Sequence, residues 1–492
     1  MQSTISFVLD GELRTIDFQS SEYLSPTTTV LNYLRGLPGH RGVKEGCAEG
    51  DCGACTVVLG EAGSGDRIAY KSIDSCLVFL PMLHGKQLIT VENLRDPSGA
   101  LHPVQKAMVE TDGSQCGYCT PGFIMSLFSL YKNSDHPSRG AIDDALTGNL
   151  CRCTGYRPII EAASESCVHN GTDRFTSDEP RIAGLLRSIP AEAVHIETGR
   201  QRYLRPATLA EALSLKHQRP GATVICGATD IALRVTKGHE LLKEIIDLSD
   251  VPELKAVTEA GPKSEGVTIG AAVSLSEILD RVGPRYPALE SMLTVFGSRQ
   301  IRNLATLGGN LGTASPIGDT LPVLLAYDAR VVLESLNGRR EIPAREFITG
   351  YRKTVRKPDE LITAVILPPV PRGAVIKSYK VSKRKDLDIS TVSGAFRLEL
   401  DARGSVSEIV AAYGGMADHV KRAAAAEEFL AGKKWERDSV EQALPLVEGG
   451  FSPISDARAG AEFRRVAARN LLMKFWWDTT EKGPNNGPNH RH

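Results

Sequence analysis

The sequence predicts a multidomain protein of the α+β class. Its 492 residues are enough for roughly three or more domains of ordinary size. Short segments with alternating apolar residues, typical of β-strands, are interspersed with segments whose apolar residues recur every three or four positions, as in helices. With 41% hydrophobic and 24% charged residues, the composition is that of a globular protein with buried cores.

The N-terminal segment 1–87 is predicted to form a small α+β domain. Apolar residues alternate in 4–9 and 13–18, and the pair Asp10-Gly11 between these runs favours a tight hairpin. A short helix, ended by glycine and proline, and two strand-like runs complete the prediction, at 27–39, 56–60 and 68–83.

The segment 88–167 is predicted to form a helical domain. Pro103 opens the first helix, and proline is favoured at the first position of a helix. Two of the three links between the helices carry a pair of cysteines. The four predicted helices are 102–110, 123–132, 138–150 and 157–167.

The remainder of the chain is predicted to contain two further α+β domains. Short helices alternate with strands and glycine-rich loops in the first of them, whereas the second has long strand-like runs followed by helices. A polar segment with little periodicity precedes them and is predicted to be a linker, and the polar C-terminal tail is predicted to be disordered. The boundaries are 168–200 for the linker, 201–372 and 373–480 for the two domains, and 481–492 for the tail.

Charge and hydropathy exclude several classes of function. The net charge is −1 and no basic stripe is present, so we expect no binding to nucleic acid. No apolar run approaches the length of a membrane span, and the N-terminus lacks the basic start and apolar core of a signal peptide. We therefore expect a cytoplasmic protein, in which structural disulfides are rare.

Eight of the ten cysteines fall within the first 153 residues, in two sets of four. The first cysteine set has the spacing C-x4-C-x2-C, with the fourth cysteine further along, which is the plant-type [2Fe–2S] spacing. The glycines of this loop allow backbone N–H groups to approach the anionic cluster sulfurs. Structural zinc and a disulfide are the alternatives, but zinc ligands usually come in close pairs. The first set consists of Cys47, Cys52, Cys55 and Cys76.

The second cysteine set combines a C-x2-C pair with a distant C-x-C pair, and this spacing by itself also suits zinc. Both pairs lie at predicted helix boundaries, where helix N–H groups favour a negatively charged cluster. The set consists of Cys116, Cys119, Cys151 and Cys153. The two remaining cysteines, Cys167 and Cys226, are predicted to be small buried residues.

The motifs CAEGDCGAC, QCGYCTPGF and NLCRCTGYRPI together resemble the iron–sulfur domains of the molybdenum hydroxylases, the xanthine dehydrogenase and aldehyde oxidase family. The resemblance covers residues 1–167. It implies two [2Fe–2S] clusters, one in a ferredoxin-like β-grasp domain and the other in a four-helix domain. It also implies that Gln115 and Cys153 lie near the pterin of a molybdenum subunit.

Two glycine-rich loops in the segment 201–372 are candidates for binding a pyrophosphate, although each could be an ordinary turn. Neither has the GxGxxG spacing, so a Rossmann fold is not predicted. Both loops resemble the non-Rossmann FAD domain of the same family. That resemblance implies a first FAD loop made of Val224, Ile225, Cys226, Gly227, Ala228, Thr229, Asp230 and Ile231.

The resemblance further implies single contacts along the rest of the chain. Phe296 matches an aromatic residue beside FAD, Tyr351 is a candidate neighbour of nicotinamide, and the remaining matches are Thr306, Gly308, Gly309, Asn310, Asp319, Ile362 and Lys380. Taken without the resemblance, Phe296 and Ile362 could be core residues, and Lys380 and Asp319 could be solvated.

The order of the domains resembles the small subunit of the bacterial xanthine dehydrogenases. This implies an NAD-dependent complex, expected to be an α2β2 heterotetramer, in which a separate large subunit holds the molybdenum cofactor and the catalytic glutamate. No catalytic residue is then expected on this chain, which would pass electrons from xanthine or hypoxanthine through both clusters to FAD and NAD+. The same role for an aldehyde or an N-heterocycle is the alternative, and a zinc-stabilised protein without redox function is a third.

Overall fold

The computed structural model describes residues 3–20, 23–168, 173–259 and 266–480. The predicted tail at 481–492 lies outside these residues. The chain divides into two compact units, which are described separately. The first unit comprises residues 1–215, 221–251 and 298–305, and the second comprises 216–220, 252–297 and 306–492.

The first unit begins with a five-stranded mixed sheet in the order β2-β1-β5-β3-β4. Its elements are β1 (Thr4–Leu9), β2 (Glu12–Asp17), α1 (Val30–Gly36), β3 (Thr56–Ala62), β4 (Ile68–Asp74) and β5 (Gln87–Ile89). The predicted hairpin is present, because Asp10 and Gly11 both adopt the positive φ angles that a tight turn needs. Both faces of the sheet are buried: Phe7 packs into one apolar cluster and Val8 into another.

Helices cover the face of the sheet to which Val8 belongs. They are α2 (Val91–Leu94), α3 (Pro103–Glu110), α4 (Thr120–Asn133), α5 (Arg139–Leu146), α6 (Arg157–Ser166) and α7 (Arg174–Ser188). The four predicted helices correspond to α3, α4, α5 and α6. Pro103 occupies the first turn of α3, where its missing N–H leaves no hydrogen bond unmade.

Helix α7 was not predicted, since it lies within the segment expected to be a linker. Phe175, Ile182 and Leu186 are buried in the same apolar cluster as the other helices. Asp173 caps the helix by accepting a hydrogen bond from the N–H of Thr176. Part of the predicted linker therefore forms a helix that packs against the rest of the unit. The many polar residues on the opposite face of this helix are the reason why the sequence was interpreted as a linker.

A four-stranded sheet in the order β6-β7-β9-β8 completes the strands of the first unit. Its elements are β6 (Val194–Glu197), β7 (Arg202–Arg205), α8 (Leu209–Gln218), β8 (Thr223–Ile225), α9 (Ala232–Thr236) and β9 (Glu244–Asp247). Strand β9 runs parallel to both of its neighbours. The turn that follows β8 contains the first loop predicted to bind FAD.

The second unit contains a sheet in the order β10-β11-β16-β12-β13 and a small hairpin, β14-β15. Helix α12 lies between α11 and α13 in the chain but belongs to the first unit. The elements of this region are β10 (Val257–Glu259), β11 (Val267–Gly270), α10 (Leu275–Arg281), α11 (Pro287–Thr294), α12 (Arg299–Arg302), α13 (Leu307–Thr313), α14 (Thr320–Ala326), β12 (Arg330–Ser335), β13 (Gly338–Pro343), α15 (Ala344–Phe347), β14 (Ile348–Gly350), β15 (Lys353–Thr354) and β16 (Leu361–Leu367).

An antiparallel sheet in the order β17-β18-β19-β20 and three helices form the last part of the second unit. They are β17 (Val375–Val381), β18 (Val392–Leu400), β19 (Val406–Gly414), β20 (Lys421–Arg422), α16 (Ala424–Leu430), α17 (Arg437–Gly449) and α18 (Ala461–Thr480). Phe396, Tyr413 and Phe475 pack together in the core between sheet and helices. Helix α16 begins only at Ala424, because Lys421 and Arg422 pair with β19 as a short strand.

These elements confirm the multidomain α+β class. Among the described helices, none has the length and apolar composition that crossing a bilayer requires.

Candidate functional site

Two cysteines of the first set, Cys55 and Cys76, belong to the apolar cluster that the sheet and helix α1 of the first unit share. Cys47, Cys52 and Cys55 belong to the loop that joins α1 to β3. Cys76 follows β4 in a loop, rather than lying within a strand as the apolar run suggested. Its Sγ is 3.4 Å from the Sγ of Cys55, and both side chains are buried. The fold thus brings the distant fourth cysteine onto the loop that carries the other three.

Backbone N–H groups surround the sulfur of Cys47. Glu49 and Asp51 donate to it at 3.4 and 3.3 Å. The pKa of Cys47 is lowered to about 5, first by a hydrogen bond from the Cys52 thiol and then by these backbone donors. A side chain at Gly46 would place its Cβ 2.7 Å from the Cys52 sulfur. These donors therefore favour the thiolate of Cys47, the form in which cysteine binds iron, whereas the hydrogen bond to Cys47 and burial raise the pKa of Cys52.

The second cysteine set lies at the ends of three helices. Cys116 and Cys119 precede α4, whereas Cys151 and Cys153 lie between α5 and α6. Partial burial would raise the pKa of Cys151, but hydrogen bonds from the hydroxyl and N–H of Thr154 and from the N–H of Cys153 lower it. Nearby donors therefore favour the thiolate of Cys151, whereas burial and the Cys151 thiol raise the pKa of Cys119.

The thiols of both sets are arranged in pairs. Cys47 hydrogen-bonds to Cys52 and Cys55 to Cys76 in the first set. The pairs in the second set are Cys116 with Cys153 and Cys119 with Cys151. All ten cysteines are free of disulfides.

The pairing of the thiols indicates which kind of metal site each set can form. A [2Fe–2S] cluster has two irons and four thiolate ligands, so each iron takes one pair. Structural zinc instead requires four ligands around a single ion. The donor set of each loop thus fits a two-iron cluster.

Asp74 is a buried acid beside the first set that sequence reasoning missed. Its side chain is 1% exposed, and its Oδ1 accepts a hydrogen bond from the Cys55 thiol at 3.6 Å between heavy atoms. Burial, and then the negative charge of Cys47, raise the pKa of Asp74 to about 8. In the sequence, the available signal was an acidic residue at the end of a strand-like run, directly after Ser72 and Ile73. The structure shows that both of these neighbours are buried.

The first predicted FAD loop is a strand followed by a sharp turn. Val224 and Ile225 end β8, and Cys226, Thr229, Asp230 and Ile231 are half-buried in the turn before α9. Gly227 and Ala228 both have positive φ angles, and a Cβ at Gly227 would lie 1.8 Å from the Leu304 carbonyl oxygen. Only glycine fits this position, where the loop passes directly against the segment that follows α12.

The second predicted loop begins with a helix cap. Thr306 accepts a hydrogen bond from the N–H of Gly309 at 3.0 Å and so caps α13. A Cβ at Gly308 would lie 2.6 Å from the Cβ of Ala271, so this turn of the helix packs tightly on the preceding chain. The Asn310 side chain accepts a hydrogen bond from the Thr320 hydroxyl at 2.6 Å. These contacts hold the loop in one conformation.

Asp319 and Lys380 form a buried ion pair in the second unit. Their side chains are 7% and 4% exposed, and the Lys380 Nζ is 2.9 Å from Asp319 Oδ2. The Ser390 hydroxyl donates to the other carboxylate oxygen at 2.6 Å, and Lys380 also donates to the Val295 carbonyl. The alternative that both residues are solvated is therefore wrong. A cavity of about 460 Å³ borders Lys380 and Val295.

The three other residues predicted to lie near the flavin differ in how far they are buried. Phe296 follows Val295 and is half-buried, and Ile362 is buried on β16. Tyr351 lies in the turn between β14 and β15 and is 61% exposed. Burial agrees with a core role for Ile362. Exposure leaves the Tyr351 ring accessible to a ligand in solution.

Three family matches cover most of the chain. Residues 90–164 match a [2Fe-2S] binding domain, and residues 196–370 match the FAD binding domain in molybdopterin dehydrogenase. Residues 377–479 match the CO dehydrogenase flavoprotein C-terminal domain. The chain is a homologue of the molybdenum hydroxylases. The predicted resemblance is thereby confirmed, as is the presence of an iron–sulfur binding domain and a FAD-binding domain.

Several xanthine dehydrogenases are similar over nearly the whole chain. The xanthine dehydrogenase of Emericella nidulans is 32% identical over 96% of this chain and 38% of its own length. Xanthine dehydrogenase 1 of Arabidopsis thaliana is 34% identical over 91% of this chain and 38% of its own length. The chain thus spans about two fifths of the length of these relatives.

Solved structures of two other oxidoreductases resemble parts of the chain as well. Carbon monoxide dehydrogenase from Hydrogenophaga pseudoflava aligns with 57% of this chain and 99% of its own, with 26% identity and a TM-score of 0.54. A quinoline 2-oxidoreductase chain from Pseudomonas putida 86 shares the fold, with 22% identity, a TM-score of 0.52, and 57% and 96% coverage. The names of the relatives and of the carbon monoxide dehydrogenase structure thus specify different substrates.

Proposed function

We propose that this chain is the electron-transfer part of a xanthine dehydrogenase, linking a molybdenum site on a partner to FAD and NAD+. The observation that carries the proposal is the pair of cysteine sets, each with four paired thiols, in a chain that also has a FAD-binding domain. When bound, the clusters would carry single electrons and FAD would exchange one or two, so the flavin would connect one-electron transfer to hydride transfer.

The residues of the chain would have three tasks in this function. The second cysteine set would hold the cluster that receives electrons, and the first set would hold the cluster that relays them. The loop 224–231 and the loop that begins at Thr306 would bind FAD. The Asp319–Lys380 pair would supply a fixed charge and hydrogen-bond donor beside the flavin, because burial and Ser390 hold both side chains in place.

An exposed apolar collar around the second set supports a partner at this surface. Cys116 and Cys153 are exposed. Tyr118, Leu150 and Tyr156 beside them are 48%, 37% and 38% exposed. Large exposed apolar side chains grouped around a functional site are typical of protein interfaces. We propose a molybdenum-cofactor subunit as this partner, in an α2β2 complex, with Gln115 and Cys153 closest to the cofactor.

The first test is composition. We expect the purified chain to absorb visible light as an iron–sulfur flavoprotein, with about four irons and one FAD per chain. Colourless protein that contains zinc would contradict the proposal. The isolated chain should oxidise NADH with an artificial acceptor but should not oxidise xanthine.

The second test is co-purification from the native host, followed by metal analysis and assays. We expect a molybdenum-containing partner, xanthine oxidation, and faster turnover with NAD+ than with oxygen. The equivalent part of an aldehyde or N-heterocycle hydroxylase is the second candidate, because the structural match to carbon monoxide dehydrogenase leaves the substrate open. A complex that oxidises an aldehyde or an N-heterocycle but not xanthine would establish that candidate.

A further inference from the structure

A buried cluster of polar side chains lies between the two cysteine loops. The side-chain nitrogen of Gln300, Nε2, is 3.0 Å from Asn149 Oδ1 and 3.1 Å from the Ser126 hydroxyl. Ser126 in turn donates to Asn149 Oδ1 at 2.6 Å. These three residues come from α12, from the loop after α5, and from α4. They belong to the same unit although they lie far apart in the sequence.

Burial makes this cluster energetically significant. Gln300 is 0% exposed, and Asn149 and Ser126 are 3% and 1% exposed. Gln300 Oε1 has no hydrogen-bond partner within the protein, so the site retains an unpaired polar atom. An amide buried with one unsatisfied atom costs free energy, and an apolar side chain of similar size would avoid that cost. The amide is therefore not explained by packing alone.

The cluster bears directly on the backbone of both cysteine loops. The Asn149 amide donates to the Gly53 carbonyl at 3.1 Å, and Gly53 lies between Cys52 and Cys55. The next residue, Leu150, donates its N–H to the Cys52 carbonyl at 3.0 Å. Leu150 immediately precedes Cys151. One hydrogen bond thus joins a cysteine residue of the first set to the neighbour of a cysteine in the second.

The close approach of the loops leaves no space for additional side-chain atoms. A Cβ at Gly53 would lie 2.2 Å from the Gly148 carbonyl oxygen, and one at Gly122 would lie 2.2 Å from the Gly53 carbonyl oxygen. A Cβ at Gly148 would lie 2.2 Å from Gln300 Oε1. Gln300 therefore packs closely against the second loop at Gly148. It also hydrogen-bonds to the side chain of the next residue, Asn149.

We propose that Gln300 is a positioning residue that holds the two cysteine loops in register and thereby sets the electronic coupling between their clusters. Its amide orients Asn149, and Asn149 fixes Gly53 beside the hydrogen bond from Leu150 to Cys52. The second cysteine set would hold the cluster that gives up one electron, and the first set would hold the cluster that accepts it. No bond is formed or broken. The inference rests on the proposed function, because it requires both clusters.

The test compares two glutamines of the same unit. Gln300→Met keeps the approximate side-chain volume and removes every hydrogen bond of the amide. Gln201→Met is the matched control, since Gln201 is also buried, at 3% exposure, but hydrogen-bonds to Thr27 and Leu242 instead of a cysteine loop. Both proteins are reduced, and the magnetic interaction between the two clusters is measured by electron paramagnetic resonance, together with iron content and melting temperature.

We expect wild-type protein and Gln201→Met to show the same splitting from the interacting clusters. Gln300→Met should keep its full iron content but lose or narrow this splitting, and electron transfer between the clusters after flash reduction should slow. A purely structural role would lower the melting temperature of both variants and leave the splitting unchanged in both, which would overturn the inference. Wild-type protein with two clusters and no measurable interaction would overturn it as well.

A milder variant covers the case in which Gln300→Met does not fold. Ser126→Ala removes one hydrogen bond of Gln300 and one of Asn149, and it should narrow the splitting in the same direction. An unchanged splitting in Ser126→Ala would then count against the inference. Wild-type protein with iron for only one cluster would instead contradict the proposed function, so the two failures are distinguishable.

Discussion

The two cysteine sets have the same ligand chemistry but different surroundings. In the first set, Cys55 and Cys76 are 2% and 1% exposed, and a strand end and a long loop enclose the site. In the second set, Cys116 and Cys153 are exposed, and the ligands project from helix ends. The other two cysteines of each set are half-buried, so the first site is the more shielded and the second the more accessible to a partner. This difference suits a relay in which electrons enter at the second set.

The two cysteine sets also differ in which part of the fold holds their ligands in place. The first set shares its apolar cluster with the sheet, so a change at Cys76 affects folding as well as cluster binding. The second set depends on how the helices are anchored, and Asp173 is part of that anchor. It hydrogen-bonds to His102 and Lys132, which come from two other helical segments. Substitutions at Cys76 and at Asp173 therefore affect the two sites through different parts of the fold.

The largest effect is expected from Cys76→Ser. Iron should fall from about four to about two atoms per chain, because one of two clusters loses a ligand. Only one of two electron paramagnetic resonance signals should disappear on reduction. Cys167→Ser is the control, since it places the same hydroxyl at another buried cysteine, with 1% exposure. If Cys76→Ser retained all of its iron, the assignment of the first set would be wrong.

The anchor of the second set should be weakened by Asp173→Asn. Lys132 would lose its nearer buried carboxylate and keep only Glu179, at 4.0 Å. Breaking the nearer pair should lower the free energy of unfolding at neutral pH by roughly 3 kcal/mol. Urea unfolding of both proteins would measure this difference. The signal of the second cluster should also be lost at a lower urea concentration than that of the first.

The same variant should show a distinct dependence on pH. Burial alone would raise the pKa of Asp173, but hydrogen bonds from His102, Thr176 and Lys132 lower it below its ordinary value. Such a carboxyl stabilises the fold above its unfolded pKa, near about 3.9, and this stabilisation is lost as the pH falls through the folded pKa. The stability difference between wild type and Asp173→Asn should therefore narrow as the pH falls below about 4. A constant difference would exclude this role.

Packing between the two cysteine loops can be tested at Gly53. Gly53 and Gly65 have nearly the same φ, +66° and +63°, but a Cβ at Gly65 would meet no atom within 4 Å. Gly53→Ala and Gly65→Ala thus share the cost of a positive φ, and only the first adds a collision with the Gly148 carbonyl. The excess destabilisation of Gly53→Ala should be about 1–3 kcal/mol, measured by thermal unfolding. Equal effects would show that the loops can separate without cost.

The smallest effect is expected from Tyr118→Phe. The Tyr118 hydroxyl donates to the Glu45 carbonyl at 2.5 Å and so links the two cysteine loops at the surface. Its loss should lower the free energy of unfolding by about 0.5–1.5 kcal/mol, as for an ordinary hydrogen bond. Tyr156→Phe provides a comparison within the second loop, because Tyr156 accepts from the N–H of Cys151. Both proteins should retain their full iron content.

Local features were predictable because short-range geometry determines them. The pair Asp10-Gly11 fixed the first hairpin, and Pro103 marked the start of α3. Helix α7 was missed, although Phe175, Ile182 and Leu186 have the spacing of a helix face. Its polar residues outweighed that pattern when the segment was interpreted as a linker. The spacing of the first cysteine set likewise predicted a [2Fe–2S] site without any knowledge of the fold. For the second set the spacing also suited zinc, and the helix boundaries and the family resemblance favoured an iron–sulfur cluster.

The sequence by itself determined the ligand types, the class of the domains and the order in which they occur, since these depend on residue identity and local spacing. Tertiary structure alone decided which thiols pair, that Asp74 is buried beside Cys55, and that Gln300 reaches Asn149 across 151 residues. It also decided that Asp319 and Lys380, which could have been solvated surface charges, form a buried ion pair. Such contacts arise when distant segments pack against one another, and no short-range pattern encodes which side chains will then meet.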